Sequence, residues 1–192
     1  ADVNNYSVTD QSSTTADISA KALTATASAS NKTYDATNSA SVTINLSGLV
    51  GLETLGSTNT STFNNKNVGS NKTVTVNSIT LADGSGLAAN YSISAGQTTT
   101  ANIIAKSLTV SGITASNKTY DGSTNVTLTG TAVYSGLVSG DTFDGTYTGA
   151  FSDKNAGVGK TVTITSSYSG ADVSNYSVTD QSSTTANITA KS

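Results

Sequence analysis

The chain repeats itself at a fixed period, and this repetition limits the folds available to it. Residues 1–21 return at 171–191 with three differences. A more diverged copy lies midway, so that Lys21, Lys106 and Lys191 are evenly spaced and one period is the length of the segment 22–106. A fixed period is typical of one structural unit that occurs several times in succession. We therefore predict repeated modules and not one large domain.

Each full copy carries the same landmarks in the same order. The run NKTYD occupies 31–35 and 117–121, and the run SGLV follows it at 47–50 and 135–138. Small insertions shift the spacing of these landmarks before it returns to the period set by the lysines, as changes in loop length do. The chain is interpreted as a piece of a longer protein. Its predicted parts are the C-terminal part of a preceding repeat at 1–21, a first full repeat at 22–106 and a second full repeat at 107–191.

Alternation of apolar and polar residues predicts β-strands in both repeats. Val42, Ile44 and Leu46 are separated by Thr and Asn, so one face of this segment points to a core and the other to water. Further strand-like segments lie at 74–76, 108–113, 126–133, 162–164, 176–178 and 185–188. About six or seven short strands fit in each repeat, and no segment has the periodicity of an amphipathic helix.

We predict an all-β fold of small modules that are arranged end to end as an elongated rod. A repeat as long as 22–106 has the size of a small β-sandwich, and the pattern leaves immunoglobulin-like and β-grasp-like topologies open. The sequence contains no Cys, which excludes a disulfide scaffold. The stability of each module must then come from packing and from hydrogen bonds between strands.

Two Asp-Gly pairs predict tight turns, because Gly tolerates the positive φ that such turns require. They are Asp121-Gly122 and Asp144-Gly145. The first repeat has Asp35-Ala36 where the second has Asp121-Gly122. The turn geometry of the first repeat therefore stays open.

Aromatic residues are few and recur at equivalent places, which is what core positions do. Their pairs are Tyr34 with Tyr120, Phe63 with Phe151, and Tyr91 with Tyr176, and Tyr6 echoes the last pair. We predict that they fill the cores, with tyrosine hydroxyl groups bonded to backbone at the core margin. The alternative is that the tyrosines form platforms on which sugars stack.

The residue types exclude the ordinary forms of catalysis. With no His and no Cys, the chain cannot build the usual triads or zinc sites, and we predict that it is not an enzyme. The run GVGKT at 157–161 resembles the end of a phosphate-binding loop, but Lys154 stands where the first Gly is required and no helix follows. Asp141, Asp144 and Asp83 provide too few oxygen ligands for calcium. We predict neither a cofactor nor a bound metal.

Charge and hydropathy limit the partners. The net charge is -3 and the nine basic residues form no cluster, which argues against a nucleic-acid partner. There is no apolar run near the ~18 residues that a membrane helix needs, so membrane insertion is not expected.

A covalent cross-link between Lys and Asn is an alternative source of stability in a chain without disulfides. Lys32 with Asp35 and Lys118 with Asp121 recur among many Asn residues, and a nearby carboxylate would promote such a bond. The competing interpretation is that each Lys is a solvated turn residue.

The motifs of the second repeat resemble those of a known repeat family. The run SNKTYDG at 116–122 is followed by SGLVSGD, AFSDKNAGVGKTVT, SGADVSNYSV and TTANITAK. In this order they are similar to the YDG-type repeats of filamentous-haemagglutinin-like bacterial surface adhesins. The first repeat departs at Ala36 and at 52–54. The resemblance implies a very large secreted protein at the bacterial cell surface, exported by a two-partner or autotransporter-like route, whose repeats hold an adhesive tip away from the cell.

The leading hypothesis is that the repeats are structural stalk or spacer material. The partners would then be the neighbouring repeats of the same chain. One alternative is an adhesive module that binds glycans or another host-surface ligand. The other is homotypic association of copies of the protein, between cells or in a biofilm, through strand edges that are poor in charge.

Overall fold

The computed structural model describes residues 2–192, and 52% of the chain is in β-strands. Within residues 2–192 there is no α-helix, and the helical turns are of the 3-10 type, at Val3–Asn5, Ala88–Asn90 and Val173–Asn175. The same range holds no helix of the length and hydrophobicity that a membrane span requires. The predicted all-β class is confirmed.

The first module contains strands β1 to β8. Their bounds are β1 Lys21–Ala22, β2 Thr24–Ala29, β3 Lys32–Thr33, β4 Val42–Ser47, β5 Leu55–Phe63, β6 Gly69–Asp83, β7 Tyr91–Ser92 and β8 Thr98–Ile104. Strands β3, β8, β6 and β5 form a four-stranded sheet in that order. The other pairings of the module are made by the segment β1–β2, where β2 pairs antiparallel with β4 and β1 pairs parallel with β7.

The second module repeats this arrangement. Its strands are β9 Lys106–Ser111, β10 Thr114–Ala115, β11 Lys118–Thr119, β12 Leu128–Thr129, β13 Val133–Ser135, β14 Asp144–Phe151, β15 Gly157–Ser169, β16 Tyr176–Thr179 and β17 Ser183–Thr189. The four-stranded sheet has the order β11, β17, β15, β14, and the three-stranded sheet has the order β13, β9, β16. A short antiparallel pair, β10 with β12, takes the place of the far half of the β2–β4 pair.

Period-two burial explains why the predicted segments are strands. In β6, Val74 and Val76 are fully buried, while Thr73 before the first valine is exposed. In β15, Val162 and Ile164 take the same positions. Burying one such aliphatic side chain is worth about 1.5 to 3 kcal/mol, which is why alternation decides which face of the strand turns inward.

The predicted turn at Asp144-Gly145 is wrong. Both residues lie in β14, where Asp144 pairs with Ser169. The Gly is used for a different reason: a Cβ at Gly145 would collide with the hydroxyl group of Tyr147 and would lie 2.7 Å from the hydroxyl oxygen of Tyr134. The bend before this strand is made instead around Gly140, whose φ is 92°. The pairing of β14 with β15 and the packing of these two tyrosine hydroxyl groups therefore outweigh the local turn preference of the Asp-Gly pair.

The segment 126–133, predicted as one strand, is broken. Strand β12 ends at Thr129, and Gly130 follows with a φ of 80° before β13 begins at Val133. The equivalent β4 of the first module is continuous. Gly130 thus interrupts, in the second module, a strand that is continuous in the first.

The N-terminal copy of the repeated segment forms no strand between residues 6 and 20, although its second copy forms β16 and β17. Tyr6 is 77% exposed, whereas its equivalent Tyr176 is 7% exposed. Ile18 is 101% exposed and its equivalent Ile188 is 2% exposed. The second copy has β9, β11 and β15 as partners, and nothing in residues 2–192 supplies a second set of such strands to the first copy.

Candidate inter-module interface

The two modules are joined without a linker. Strand β8 ends at Ile104 and β9 begins at Lys106, so that Ala105 alone lies between a strand of one module and a strand of the next. Loop residues that could act as a hinge are therefore missing at this point of the described chain. The relative orientation of the modules therefore depends on the side chains on either side of Ala105.

The NKTYD motif forms a turn that is organised by its lysine. The amine of Lys118 donates to the carboxylate of Asp121 at 2.8 Å, to the backbone oxygen of Ser123 at 2.8 Å and to that of Asn125 at 2.9 Å. The carboxylate of Asp121 also accepts the backbone N–H of Ser123 at 2.9 Å. Lys118, followed by the Ser123 N–H, lowers the pKa of Asp121 to about 2.

The first module has the same turn in spite of its altered sequence. Lys32 contacts Asp35 at 2.7 Å and donates to the backbone oxygen atoms of Thr37 and Ser39 at 2.9 and 3.1 Å. Ala36 adopts a φ of 63°, in the left-handed region that favours Gly. The first module therefore keeps the turn without the Gly, with backbone strain at Ala36.

The first residue of the motif ties the turn to the sheet. The side-chain oxygen of Asn31 accepts the backbone N–H of Asn102 at 2.7 Å, and Asn117 does the same for Asn187 at 2.7 Å. Each turn is therefore bonded to the last strand of its module, which is β8 in the first module and β17 in the second. The lysine contacts in both modules are ionic and hydrogen-bonded, and a covalent cross-link stays an alternative interpretation.

In each of the two full modules, the tyrosine of the NYS sequence bonds to the opposite loop. The hydroxyl group of Tyr176 accepts the backbone N–H of Val138 at 3.0 Å and donates to the carboxylate of Asp141 at 2.6 Å. Tyr91 makes the equivalent bonds with Val50 and Glu53. Burial, together with the Asp141 carboxylate, raises the pKa of Tyr176 to about 12.

Tyr34 of the first module is buried by the second module. It is 1% exposed, and its ring packs edge to face on that of Tyr176, with 5.6 Å between the centroids. Its hydroxyl group donates to Asp172 at 3.4 Å. Desolvation by this burial raises the pKa of the Tyr34 hydroxyl. The YDG tyrosine therefore belongs to the contact between modules as well as to a core.

Lys66 bridges two acidic residues across the junction. Its amine lies 2.9 Å from Asp172 and 3.5 Å from Asp141, both in the second module. Asp172 also accepts the backbone N–H of Thr142 at 3.0 Å. The Thr142 N–H, followed by Lys66, holds the pKa of Asp172 below its usual value. One cation of the first module thus balances a pair of carboxylates that the second module brings together.

Asn175 supplies the third contact. It is 1% exposed, and its side-chain oxygen accepts the backbone N–H of Val68 at 3.0 Å. Its amide group reaches Asn67 of the first module at 3.4 Å. A buried amide in this position fixes the distance between the two modules, because leaving the Val68 N–H without a partner costs about 1 to 3 kcal/mol.

The apolar core continues through the junction. One cluster contains Tyr34, Phe63, Val74 and Ile103 of the first module together with Leu108, Phe143, Ile164 and Tyr176 of the second. A separate cluster of Phe151, Val162, Ala186 and Ile188 fills the far end of the second module. Core packing therefore couples the modules in the same place as the polar contacts do.

The residues singled out from the sequence fall into two groups. Phe63, Phe151, Tyr91 and Tyr176 are at most 7% exposed, and Asp35, Asp121 and Gly122 lie in the turns. Tyr34 is buried but Tyr120 is only partly buried. Sequence reasoning missed Lys66, Asp172 and Asn175. Lys66 and Asn175 have a Lys and an Asn at the equivalent positions 154 and 90, and this recurrence was the signal that could have indicated them.

Other surfaces offer less for chemistry. A shallow groove of ≈ 380 Å³ is lined by Asn125, Val126, Leu128, Tyr147, Thr148 and Gly149. The hydroxyl of Tyr147 already donates to Tyr134 at 3.1 Å. Within the described residues, His, Cys, Asp and Glu form no group of three or more that could hold a metal ion. Glycan binding, the alternative named from the sequence, stays a prediction.

Two modules of similar topology, joined without a linker and packed around a shared core, define a tandem-repeat all-β protein. A family model described as the YDG domain matches twice, at residues 19–101 and 104–186. The chain therefore belongs to the YDG domain family. No curated protein and no solved structure matches it.

Proposed function

We propose that this chain is stalk or spacer material of a large secreted bacterial surface adhesin. The observation that carries the proposal is the junction, where successive modules share a core and a set of polar contacts. A spacer needs modules whose relative orientation is fixed, since a freely jointed chain would not hold a distal region at a distance. The adhesin context rests on the resemblance of the motifs to repeats of such proteins.

The strength of the junction supports a fixed orientation. An edge-to-face aromatic pair such as Tyr34 and Tyr176 contributes about 0.5 to 1.5 kcal/mol beyond the area it buries. The bond from the Val68 N–H to Asn175 adds about 1 kcal/mol. Rotation of one module against the other would break both contacts at once and expose Tyr34.

The exposed area supports an extended arrangement. The accessible surface is 11766 Å². A single compact protein of 19.2 kDa would expose about 8,400 Å². The excess fits two small modules, each with its own surface, together with the exposed N-terminal segment.

Small-angle X-ray scattering tests the proposal. We expect a maximum dimension of at least ~60 Å for the two modules, from strands of some ten residues at about 3.3 Å each in both modules. A variant that begins at Ala20 removes the contribution of the exposed segment. A radius of gyration near the ~16 Å of a compact chain of this length would contradict the stalk function.

Homotypic association is a second candidate function, favoured by the edge strand β5. The loop at 38–40 covers one end of this strand, where Phe63 donates to Asn38 at 2.7 Å and Ala40 donates to Ser61 at 2.9 Å. The other end, from Leu55 to Thr60, is the outer edge of its sheet and carries no charge, and β4 contacts it through the bond from the Asn59 side-chain amide to the Val42 oxygen at 2.9 Å. Edges of this type pair with other chains unless they are blocked. Sedimentation of a strict monomer at millimolar concentration would rule this function out.

A further inference from the structure

Each module ends in the same surface, but only one of the two surfaces is covered. We call Tyr34, Lys66, Asn67 and Val68 the first end surface, and their equivalents Tyr120, Lys154, Asn155 and Ala156 the second end surface. Tyr34 is 1% exposed and Lys66 is half-buried. Tyr120 is only partly buried, and Lys154 and Ala156 are exposed.

The first end surface is covered by a short segment of the next module, residues 172–176, which we call the docking turn. Its Asp172 binds Lys66, its Asn175 accepts the Val68 N–H and its Tyr176 packs on Tyr34. The loop residue Asp141 behind the turn adds a second carboxylate to the Lys66 contact. The sequence that provides the turn is Asp-x-x-Asn-Tyr.

The second end surface has the same geometry as the first. The backbone N–H of Tyr120 donates to Thr189 at 2.8 Å, as that of Tyr34 donates to Ile104 at 2.9 Å. The N–H of Asn155 donates to the side chain of Asp153 at 2.8 Å, as that of Asn67 does to Asn65 at 3.0 Å.

The aromatic residue and the loop backbone are therefore held in place before any partner arrives. The connection also matches, since the sequence Ala-Lys-Ser follows β17 as it follows β8.

Docking turns differ between modules at one decisive position. The equivalent of Asp172 in the first module is Leu87, which is 60% exposed. The equivalent of Asn175 is Asn90, which is exposed. A turn with Leu at this position keeps the Asn side chain that accepts the backbone N–H. It has no carboxylate that could bind the lysine. Modules with Asp and modules with Leu would therefore not bind an end surface equally.

We propose that the second end surface binds the docking turn of a further YDG module, and that an Asp at the position of Asp172 selects the modules that bind it. The occupant is thus a module of the Asp type, as in the junction that the structure shows, and a module of the Leu type is discriminated against. This inference deepens the proposed stalk function, because it states which modules can follow each other with a fixed orientation.

The experiment adds a third module in register. Residues 108–192 are appended after Ser192, and amide hydrogen exchange is measured at Ala156, whose N–H is the equivalent of the Val68 N–H. We expect this amide to exchange at least about tenfold more slowly than in the original chain, since it gains a buried acceptor. The matched variant carries Asp172→Leu in the appended copy only.

The variant is expected to lose most of the added protection at Ala156 while the appended strand equivalent to β17 stays protected. Lys154→Met in the second module should cause the same loss from the other side of the contact. Unchanged exchange at Ala156 beside a folded third module would overturn the docking. Equal protection with Asp and Leu would overturn the selection.

Scattering on the same extended chain separates this inference from the proposed function. A gain in maximum dimension of about 30 Å without protection at Ala156 would leave the stalk function standing and refute the docking turn. Protection at Ala156 in a compact particle would support the docking turn and contradict the stalk function.

Discussion

At the scale of single residues, the lysine of the NKTYD motif closes the turn that the motif forms. Lys118 holds two backbone oxygen atoms and one carboxylate, and its amine lies 5.6 Å from the centre of the Phe151 ring. The turn that it closes carries Tyr120 to the end of the module. The motif therefore positions a tyrosine. The φ of the residue after the Asp determines how much backbone strain the turn contains.

Ala36→Gly is expected to stabilise the first module by about 1 kcal/mol, because Ala36 has a φ of 63° that Gly adopts without strain. Gly122→Ala is the matched change in the second module and should destabilise it by a similar amount. A Cβ at Gly122 would meet no atom within 4 Å, so the effect would come from the backbone alone. Urea unfolding measures both. Changes of the same sign in the two variants would contradict this account of the turn.

The carboxylate of Asp121 should make stability depend on pH in the acid range. Its pKa is about 2 in the folded chain, below the ordinary value of 3.8. A lowered folded-state pKa stabilises the fold above the ordinary value, and this stabilisation is lost as the pH falls from about 4 toward 2. Thermal unfolding across that window checks the expectation. In Asp121→Asn this part of the pH dependence should disappear, and an unaltered profile would show that another carboxylate is responsible.

At the scale of structural elements, the junction depends on an Asn of the docking turn that both modules have and that is buried only in the second. Asn175→Ala leaves the Val68 N–H without its acceptor and is expected to cost about 1 to 3 kcal/mol. Asn90→Ala removes the equivalent side chain where it is exposed, and should change stability by less than about 0.5 kcal/mol. Chemical denaturation of both variants gives the comparison. Equal effects would mean that the amide acts within its own module.

Strands of this protein were predictable where a period-two pattern coincided with local pairing. The segments around Val42 and Val74 satisfied that condition, and both are strands. The Asp144-Gly145 turn did not, because the pairing of Asp144 with Ser169 and the approach of Tyr134 to Gly145 come from other parts of the chain. Turn propensity is a local preference of about 1 kcal/mol or less, and several ladder bonds outweigh it.

At the scale of the whole molecule, the continuous apolar cluster should make the two modules unfold together. Tyr34→Ala removes a fully buried ring from the junction, and we expect a loss of about 3 kcal/mol or more and the appearance of two transitions in place of one. Tyr120→Ala is the matched control, since Tyr120 is only partly buried. It should cost less and leave a single transition. Calorimetry with the two variants decides, and two transitions in the unaltered chain would show that the modules are independent.

The amino-acid sequence by itself determined the repeat, the all-β class and the turn at Asp121-Gly122, because these depend on spacing and on the conformational limits of single residues. The tertiary structure decided which copies of a sequence are used. Residues 1–21 and 171–191 differ at three positions, yet the second copy contributes β16 and β17 and the first contributes no strand between residues 6 and 20. A strand forms only where other strands satisfy its backbone hydrogen bonds and bury its apolar face, and those partners lie far away in the chain.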